Sequence, residues 1–347
     1  MLMSPSLDEL IKETNKKFKA NIVNQGIKHE KVQKVPFSSP RLNYMLYGGL
    51  PVRRITEFSG GEGSGKTTTA LDAVGNFQRA FPDKKVFYID CENTLDLDWA
   101  RMLGVNLDEL ILLQPETETA EQIFEIALNF IASGEISLVV IDSLGVMVSA
   151  QAYDKDMEGK TYGGISQALT LFSRKVIPLL AKHDATLIGI NQMRDDMNSN
   201  YGGVITTGGR AWRHNCSVRL MFQQSDFIDD KGVSVSRGHE NPSGNLIKCT
   251  IVKTKVCRPD RKIGFYTLKY LSGIDYISDT IDVAEKEGLI DRAGAWYTIL
   301  DFDTREPAIG EDDKPLKFQG KAKLTEFFLY NPEWFDEMFE QVNMIVS

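Results

Sequence analysis

The chain has 347 residues, of which 42% are hydrophobic and 25% are charged, and its net charge is −8. This composition indicates a folded globular protein with one large core and a smaller module, and it excludes a disordered or fibrous chain. No apolar run is long enough to span a membrane, and the polar N-terminus lacks the apolar centre of a secretory signal, so we expect a cytoplasmic protein. A negative total charge still allows a local basic groove that binds nucleic acid.

The first predicted element is one amphipathic helix that extends to about Gln33, with Ser6 as its cap. Together with its linker it forms the first predicted segment, residues 1–33. A detached helix of this kind either covers the core of its own chain or makes a subunit contact.

Residues 34–275 are predicted to form the main domain, with an α/β fold. From about Arg54 to Leu220, β-rich runs alternate with amphipathic helices, which indicates right-handed crossover units on a mostly parallel sheet. The predicted strands are RITEFSG, KKVFYID, ELILLQP, ISLVVIDS and ATLIGINQ. The later runs VRLMF, LIKCTIVKTKV and IGFYTLKYL have no long helices between them, so we expect them to extend one edge of the sheet in antiparallel fashion.

Residues 276–347 are predicted to form a small α/β C-terminal domain. Its predicted elements are a helix in SDTIDVAEKEGLI, a short strand in AGAWYTI, and two helices broken at Asn331-Pro332. The four cysteines of the chain form no C-x-x-C pair, so we expect reduced and mostly buried thiols and no zinc site.

A glycine-rich run matches the phosphate-binding pattern G-x-x-x-x-G-K-S/T and lies between a predicted strand and a predicted helix. Its glycines let backbone N–H groups turn towards phosphates, and the following helix adds its positive end. Lys66 is expected to neutralise the β- and γ-phosphates of ATP, and the Thr67 hydroxyl is expected to ligate Mg²⁺. This placement disfavours the alternative, a glycine turn with an exposed lysine. The predicted nucleotide-binding run is Gly60, Gly61, Glu62, Gly63, Ser64, Gly65, Lys66, Thr67 and Thr68.

Two other β-rich runs end in acidic residues. LVVIDS places Asp142 at the carboxyl edge of the parallel sheet, where it would hold the Mg²⁺ shell through water. YIDCE ends in two acids, and on spacing alone either Asp90 or Glu92 would activate the water that attacks the γ-phosphate. For Asp90 and Glu92 the alternative is helix capping.

These three elements, in this order and spacing, resemble the bacterial and phage RecA-type family of homologous recombinases. The resemblance extends from about Leu42 to Trp334 and rests on the runs GGLPVRRITEFSGGEGSGKTT, FYIDCENTLDLDWARMLGV, VVIDS, GINQMR, TTGGRAW, VKTKV, GLIDRAGAWY and NPEWF. It implies a RecA-type P-loop ATPase core with an N-terminal helical arm. It also implies a DNA-dependent ATPase that forms filaments on single-stranded DNA and pairs it with homologous double-stranded DNA in recombination and repair.

The resemblance further implies roles for residues at the nucleotide. Glu92 would be the catalytic base and Asp142 the Mg²⁺-linked acid. Asp96 and Trp99 would contact adenine, with the broad indole face available for stacking. For Trp99 the alternative is ordinary core packing.

Three more residues connect the nucleotide with DNA and with the next subunit in this resemblance. Gln192 would sense the γ-phosphate and relay its state to the adjoining DNA loop. Lys253 and Lys255, which alternation puts on one face of a strand, would neutralise phosphate charge in the neighbouring subunit. A solvated sheet edge is the alternative for these two lysines.

Two polar, glycine-bearing loops are expected to face single-stranded DNA, at residues 154–163 and 194–210. Gly208 and Gly209 precede a helical stretch whose first N–H groups would receive a DNA phosphate. Met197 or Tyr201 would wedge against bases. The arginines expected to contact the DNA backbone are Arg174, Arg194, Arg210 and Arg213.

The chain departs from the bacterial pattern at several positions near DNA. Asp195 and Asp196 stand where basic residues are more usual, Gln167 replaces an arginine, and His214 occupies an aromatic position of the subunit contact. The second loop is about one residue shorter, and the chain ends at QVNMIVS without a long acidic tail. These departures concern the DNA contacts and filament cooperativity, not the nucleotide site.

Two other functions stay open from the sequence. A hexameric helicase motor on the same ATPase core would normally use an arginine in trans and lack TTGG followed by VKTKV. A regulatory or scaffold paralogue would bind ATP and a recombinase partner without exchanging strands, but the intact set of nucleotide residues argues against it.

Overall fold

The computed structural model describes residues 6–19, 23, 32–153, 164–195, 204–229, 232–236, 240–310 and 312–346. These residues divide into two compact units, 1–33 and 34–347. Among the described residues, no helix combines the length and the apolar character needed to cross a bilayer. The four cysteines are free thiols, of which Cys216 and Cys249 are buried.

The first unit contains helix α1 (Leu7–Phe18). Ser6 caps this helix, as predicted, because its Oγ accepts a hydrogen bond from the Glu9 N–H while the Glu9 carboxylate accepts one from the Ser6 N–H. The helix ends at Phe18, where Lys19 takes a left-handed φ of 50°. The prediction of one helix extending to about Gln33 was therefore wrong in length.

The second unit contains the remaining elements. Its helices are α2 (Pro40–Leu46), α3 (Lys66–Ala80), α4 (Leu97–Met102), α5 (Ala120–Ala132), α6 (Ala150–Tyr153), α7 (Gly164–His183), α8 (Gly209–Asn215), α9 (Tyr276–Lys286), α10 (Lys321–Tyr330) and α11 (Pro332–Val346). Its strands are β1 (Lys34–Val35), β2 (Leu50–Pro51), β3 (Ile55–Gly60), β4 (Lys85–Asp90), β5 (Leu110–Leu113), β6 (Ile136–Asp142), β7 (Thr186–Asp195), β8 (Val204–Thr206), β9 (Val218–Ile228), β10 (Ser234–Val235), β11 (Gly244–Thr254), β12 (Ile263–Lys269), β13 (Gly273–Ile274), β14 (Ile290–Ala293), β15 (Trp296–Ile299) and β16 (Lys317–Gln319).

An 11-stranded sheet runs through this unit in the order β13-β12-β11-β9-β3-β7-β6-β4-β5, with β10 beside β9 and β8 beside β7. The strands from β9 to β5 in this order are parallel. The strands β11, β12 and β13 continue the sheet in antiparallel fashion. The predicted α/β fold with a mostly parallel sheet is confirmed.

One predicted strand belongs to the other part of the sheet. The run VRLMF was expected in the antiparallel extension, but it lies in β9, which is parallel to β3. The short helix α8 precedes β9 and serves as its crossover. Because α8 has only 7 residues, the sequence pattern did not show that a crossover separates these strands.

The core lies on both faces of the sheet. Strand β6 is buried along its whole length. Alternation sends Leu138 and Val140 into one apolar cluster, while Val139 and Ile141 enter the cluster on the opposite face. With both faces covered, the carboxyl ends of the parallel strands are left to form a ligand site.

A third apolar cluster lies in the C-terminal part, among α9, α10, α11 and the sheet β14-β15-β16. The predicted helix break is confirmed, since α10 ends at Tyr330 and α11 begins at Pro332. The run AGAWYTI was predicted as one strand, but it contains a turn at Gly294, whose φ is 62°. The strands β14 and β15 pair across this turn as an antiparallel hairpin.

Candidate nucleotide-binding site

The glycine-rich loop leads from the buried central strand β3 into helix α3. The last residue of β3, Gly60, pairs with Gln192 of β7. Gly65 has a φ of 86°, a left-handed conformation that favours glycine, and α3 begins at the next residue. The amino end of this 15-residue helix therefore faces the loop, where its N–H groups favour an anion.

Lys66 lies folded over this loop. Its Nζ donates to the carbonyl oxygen of Gly61 at 2.6 Å and to Ser64 Oγ at 3.4 Å. Burial lowers the pKa of Lys66, and the carboxylates of Asp142 and Glu92 act in the opposite direction. The loop thus holds an ammonium group beside the helix N-terminus.

The carboxylate of Asp142 lies at the end of β6, beside the start of α3. Its Oδ2 accepts hydrogen bonds from Thr67 Oγ1 and from the Tyr88 hydroxyl, both at 2.8 Å. Burial raises the pKa of Asp142, and these two hydrogen bonds oppose the rise. A hydroxyl and a carboxylate this close are the hard oxygen ligands that Mg²⁺ takes, so Thr67 and Asp142 fit a Mg²⁺ ion bound together with a nucleotide.

Tyr88 was not singled out from the sequence. It lies on β4 two residues before Asp90 and pairs with Val140, two residues before Asp142. Strand alternation therefore contains a signal for its position, because residues two apart share a face. What the sequence does not contain is the distance from its hydroxyl to the carboxylate.

Glu92 follows β4 and faces the same cleft. Its Oε1 accepts hydrogen bonds from Ser143 Oγ at 2.6 Å and from Gln192 Nε2 at 3.0 Å. Asp90, which spacing alone did not separate from Glu92, is buried at 2% exposure. Asp90 accepts the Leu95 N–H at 3.0 Å. The structure therefore places Glu92 at the cleft and Asp90 in a structural network beneath it.

These side chains line one cleft of about 510 Å³ at the carboxyl edge of the parallel strands. The cleft brings together most of the predicted loop, both predicted acids and the predicted phosphate sensor. Its lining residues are Gly60, Gly61, Glu62, Gly63, Lys66, Thr67, Glu92, Asp142, Ile190, Gln192 and Met193.

The two residues expected at adenine lie at the start of α4. Asp96 caps this helix by accepting the N–H groups of Asp98 and Trp99, both at 3.0 Å. The Trp99 Nε1 donates to Thr68 Oγ1 at 3.3 Å, and its half-buried ring packs against the core. Helix capping and core packing are thus structural roles of this pair, and Thr68 on α3 is within reach of the indole.

Lys253 and Lys255 lie against the C-terminal end of α8 and not in the lining of the cleft. The Nζ of Lys253 donates to the carbonyl oxygens of Arg213 and His214, both at 2.7 Å, and the Nζ of Lys255 donates to His214 at 2.9 Å. The shared acceptor puts both ammonium groups on one side of the strand, at the negative end of a helix. Burial, with the neighbouring Lys255 charge, lowers the pKa of Lys253.

Much of the two predicted DNA loops falls outside the described residues. This holds for all of 154–163, and for Met197 and Tyr201 of the second loop. Of Arg194 only the backbone is described, in β7 opposite Ile205 of β8. Residues 194–195 and 204–206 of the predicted second loop thus form an antiparallel strand pair and not a loop.

The other described residues of the predicted DNA surface lie on α7 or on and directly before α8. Gly208, with a φ of 103°, precedes α8, and Gly209 is its first residue. Arg210 on α8 and Arg174 on α7 are exposed. The Arg213 Nε donates to the Gly209 carbonyl oxygen at 3.1 Å, which holds this guanidinium along the helix.

The fold and the cleft define a class of protein. A parallel sheet carries a glycine-rich loop and a helix N-terminus at its carboxyl edge, next to a threonine hydroxyl paired with a carboxylate. These are the features of a P-loop nucleotide-binding protein.

Comparison with known proteins identifies the family. The RecA N-terminal domain family matches residues 5–275. Protein RecA of Desulforapulum autotrophicum is 35% identical over 296 residues, which are 85% of this chain and 78% of that protein. Protein RecA of Mycoplasma pneumoniae is 32% identical over 314 residues, 88% of this chain and 89% of that protein. Protein RecA of Streptomyces rimosus is 32% identical over 341 residues, 97% of this chain and 84% of that protein. The chain therefore belongs to the RecA family of recombinases.

Proposed function

We propose that this recombinase exchanges DNA strands as a DNA-dependent ATPase that forms filaments on single-stranded DNA. ATP between neighbouring protomers stabilises the DNA-bound filament, and hydrolysis releases it. The observation that carries the proposal is the hydrogen bond of 3.0 Å between Gln192 and Glu92. It joins the strand that enters the second DNA loop to the acid beside the phosphate loop.

The phosphates of ATP bind to the glycine-rich loop. Lys66 and the N-terminus of α3 supply positive charge there, and the hydrogen bond from Lys66 to Gly61 already holds the ammonium over the loop. Thr67 and Asp142 are the residues that hold Mg²⁺, which when bound neutralises charge on the phosphate oxygens.

Glu92 accepts the proton of the water that attacks the γ-phosphate, while the bond between that phosphorus and the ADP oxygen breaks. Both hydrogen bonds to this carboxylate go to Oε1, so we assign Oε2 as the oxygen that faces the water. Ser143 orients the base through Oε1, and Gln192 does so as long as its amide donates to Glu92 and not to phosphate.

Gln192 couples this chemistry to DNA. Its side-chain amide donates either to Glu92 or to a γ-phosphate oxygen, so the phosphate competes for the same donor. The exchange of partners shifts the end of β7, which leads directly into the second loop. Affinity for single-stranded DNA therefore depends on which nucleotide is bound.

Lys253 and Lys255 act on the nucleotide of the neighbouring protomer. Their position against α8, apart from the lining of the cleft of their own chain, supports a role in trans. Two ammonium groups delivered to the γ-phosphate neutralise charge in the manner of an arginine finger.

The test is ATP turnover with and without single-stranded DNA, together with electron microscopy of the complex. We expect turnover to rise strongly with DNA and helical filaments to form. Closed six-membered rings would favour a helicase motor. A turnover rate that is the same with and without DNA would favour a regulatory paralogue.

A further inference from the structure

Glu57 is a fully buried carboxylate in the middle of the central strand β3. Burying a charge is costly unless it is paired and hydrogen-bonded. Glu57 Oε1 accepts hydrogen bonds from Trp212 Nε1 at 2.9 Å and from Asn191 Nδ2 at 3.0 Å. Its Oε2 forms an ion pair with Arg219 Nε. The donors come from β7, α8 and β9, so one side chain joins four elements.

The sheet register creates this arrangement. Glu57 pairs with Gly189 of β7 on one side and with Arg219 of β9 on the other. A Cβ on Gly189 would lie 2.7 Å from the indole of Trp212, so only glycine leaves room for this ring against β7. The Trp212 indole thus packs in the space above Gly189, and this contact joins α8 to the central strands.

The same network holds the end of the second DNA loop. The Asn191 Nδ2 also donates to the carbonyl oxygen of Thr207 at 2.8 Å, and the Arg219 Nη2 donates to Thr206 Oγ1 at 3.2 Å. Asn191 is the direct neighbour of Gln192 in β7. The network therefore connects the phosphate-sensing strand to the last residues before α8.

Helix α8 extends this connection in both directions. Its amino end begins with Gly209 and Arg210, where DNA is proposed to bind. Its carboxyl end offers the carbonyl oxygens that Lys253 and Lys255 contact. Trp212 lies between these ends and is the residue through which Glu57 holds the helix.

We propose that Glu57 is a positioning residue that couples the nucleotide to DNA, by holding α8 and the end of the second DNA loop to the sensing strand through Trp212, Asn191 and Arg219. This inference rests on the proposed function. Glu57 contacts neither reacting atoms nor DNA. Its role is to keep β7 and α8 moving together, so that a change at Gln192 reaches the DNA surface.

The experiment measures the affinity of the full chain for fluorescently labelled oligo(dT), with a non-hydrolysable ATP analogue and with ADP. The readout is the ratio of the two dissociation constants. Basal turnover, DNA-stimulated turnover and the melting temperature are measured for each variant as well. Trp212→Phe removes one donor to Glu57 but keeps a ring against Gly189, and Glu57→Gln removes the charge. The matched control is Ser59→Ala, which removes a buried hydrogen bond of 3.1 Å to Leu220 O from the same strand.

We expect both network variants to lower the affinity ratio and the DNA stimulation about fivefold, the effect of one lost hydrogen bond, with basal turnover unchanged. Ser59→Ala should keep the wild-type ratio. A folded Trp212→Phe variant with the wild-type affinity ratio overturns the inference but leaves the proposed function standing. This variant tests the inference even if Glu57→Gln does not fold. An equal loss in Ser59→Ala also overturns it, because general loosening of β3 would then suffice. Equal DNA affinity with both nucleotides in the wild type overturns the proposed function, and the inference with it.

Discussion

At the scale of single residues, hydrogen bonds orient both acids of the nucleotide cleft. Thr67 and Tyr88 donate to the same oxygen of Asp142, and Glu92 receives two donors on its Oε1. Each carboxylate therefore accepts these two hydrogen bonds on the same one of its two oxygens. In the proposed site Asp142 is linked to Mg²⁺, and the partners of such an acid tune its affinity for the metal, so the proposal assigns an orienting role to the buried Tyr88 as well.

Tyr88→Phe is expected to weaken the binding of the Mg²⁺ that supports ATP hydrolysis. The change removes one of the hydrogen bonds that oppose the raised pKa of Asp142. We expect the Mg²⁺ concentration for half-maximal turnover to rise about tenfold, as for the loss of other outer partners of a metal ligand. The measurement is a Mg²⁺ titration of turnover at constant ATP.

A suitable control is Tyr270→Phe. Its hydroxyl donates to Asn245 Oδ1 at 2.7 Å, away from the cleft. This variant should titrate like the wild type. An unchanged Mg²⁺ midpoint in Tyr88→Phe would show that the phenol does not support the metal-linked acid.

At the scale of secondary-structure elements, the short helix α8 is the element through which the proposed ATPase chemistry would connect with DNA and with the next protomer. It forms the crossover from the second DNA loop to β9, and its last carbonyl oxygens accept the two lysines from the end of β11. A helix C-terminus attracts cations, which explains why two like charges lie together there. Delivery of Lys253 or Lys255 to a neighbouring phosphate requires these contacts to exchange.

Lys253→Ala is expected to keep ATP binding but to lose most DNA-stimulated hydrolysis. The variant lacks the charge that, in the proposed mechanism, neutralises the γ-phosphate of the neighbouring protomer, while its own phosphate loop is intact. Binding is measured with a fluorescent ATP analogue, and turnover with saturating single-stranded DNA. Lys248→Ala, on the same strand, should behave like the wild type.

A mixing experiment tests whether the lysine acts in trans. Lys66→Ala has a defective phosphate loop but keeps Lys253 and Lys255. Lys253→Ala keeps the phosphate loop but lacks the lysine that acts on the neighbouring protomer. Mixed filaments of the two should recover part of the DNA-stimulated turnover, because one kind of interface combines an intact loop with intact lysines. Full activity of Lys253→Ala alone would remove this lysine from the mechanism.

At the scale of the whole second unit, a buried acid links the ATPase core to the C-terminal helices. Asp279 of α9 is fully buried and accepts a hydrogen bond from Ser39 Oγ, at the start of α2. Nearby, Arg41 donates to Asp282 at 2.8 Å, and Lys321 of α10 pairs with the same carboxylate. Burial raises the pKa of Asp279 to about 7.

This junction predicts a pH dependence of stability. An aspartate whose pKa is higher in the folded than in the unfolded chain binds a proton preferentially when folded. The free energy of unfolding therefore falls as the pH rises from about 4, the ordinary aspartate pKa, to about 7, and this contribution is constant above that range. Asp72, whose pKa burial raises to about 6, contributes in the same direction.

Asp279→Asn is expected to be more stable than the wild type at pH 8 by about 1–3 kcal/mol and nearly equal to it at about pH 4. The amide keeps an acceptor for Ser39 and carries no charge at either pH. Urea unfolding at the two pH values measures the difference. A variant with the wild-type pH slope would show that this carboxyl is not protonated in the folded chain.

Much of the fold was predictable because its signals are local. The glycine-rich loop, the strands ending in acids and the helix break before Pro332 are each encoded within a few neighbouring residues, and the structure has these elements where the patterns indicated. The strand order was less accessible. The run in β9 looks like any other β-rich run, and only its packing beside β3 makes it parallel.

For this protein the sequence alone determined the class of site and the residue types it contains, since phosphate binding needs a glycine loop, a lysine and a helix start in unbroken succession. The tertiary structure decided which side chains orient Glu92 and Asp142, and it placed Asp90 beneath the cleft. It also brought Glu57, Asn191, Trp212 and Arg219 into one buried network. The physical reason is that burial and hydrogen bonding between distant residues depend on the register of neighbouring strands, which the packing of both sheet faces sets.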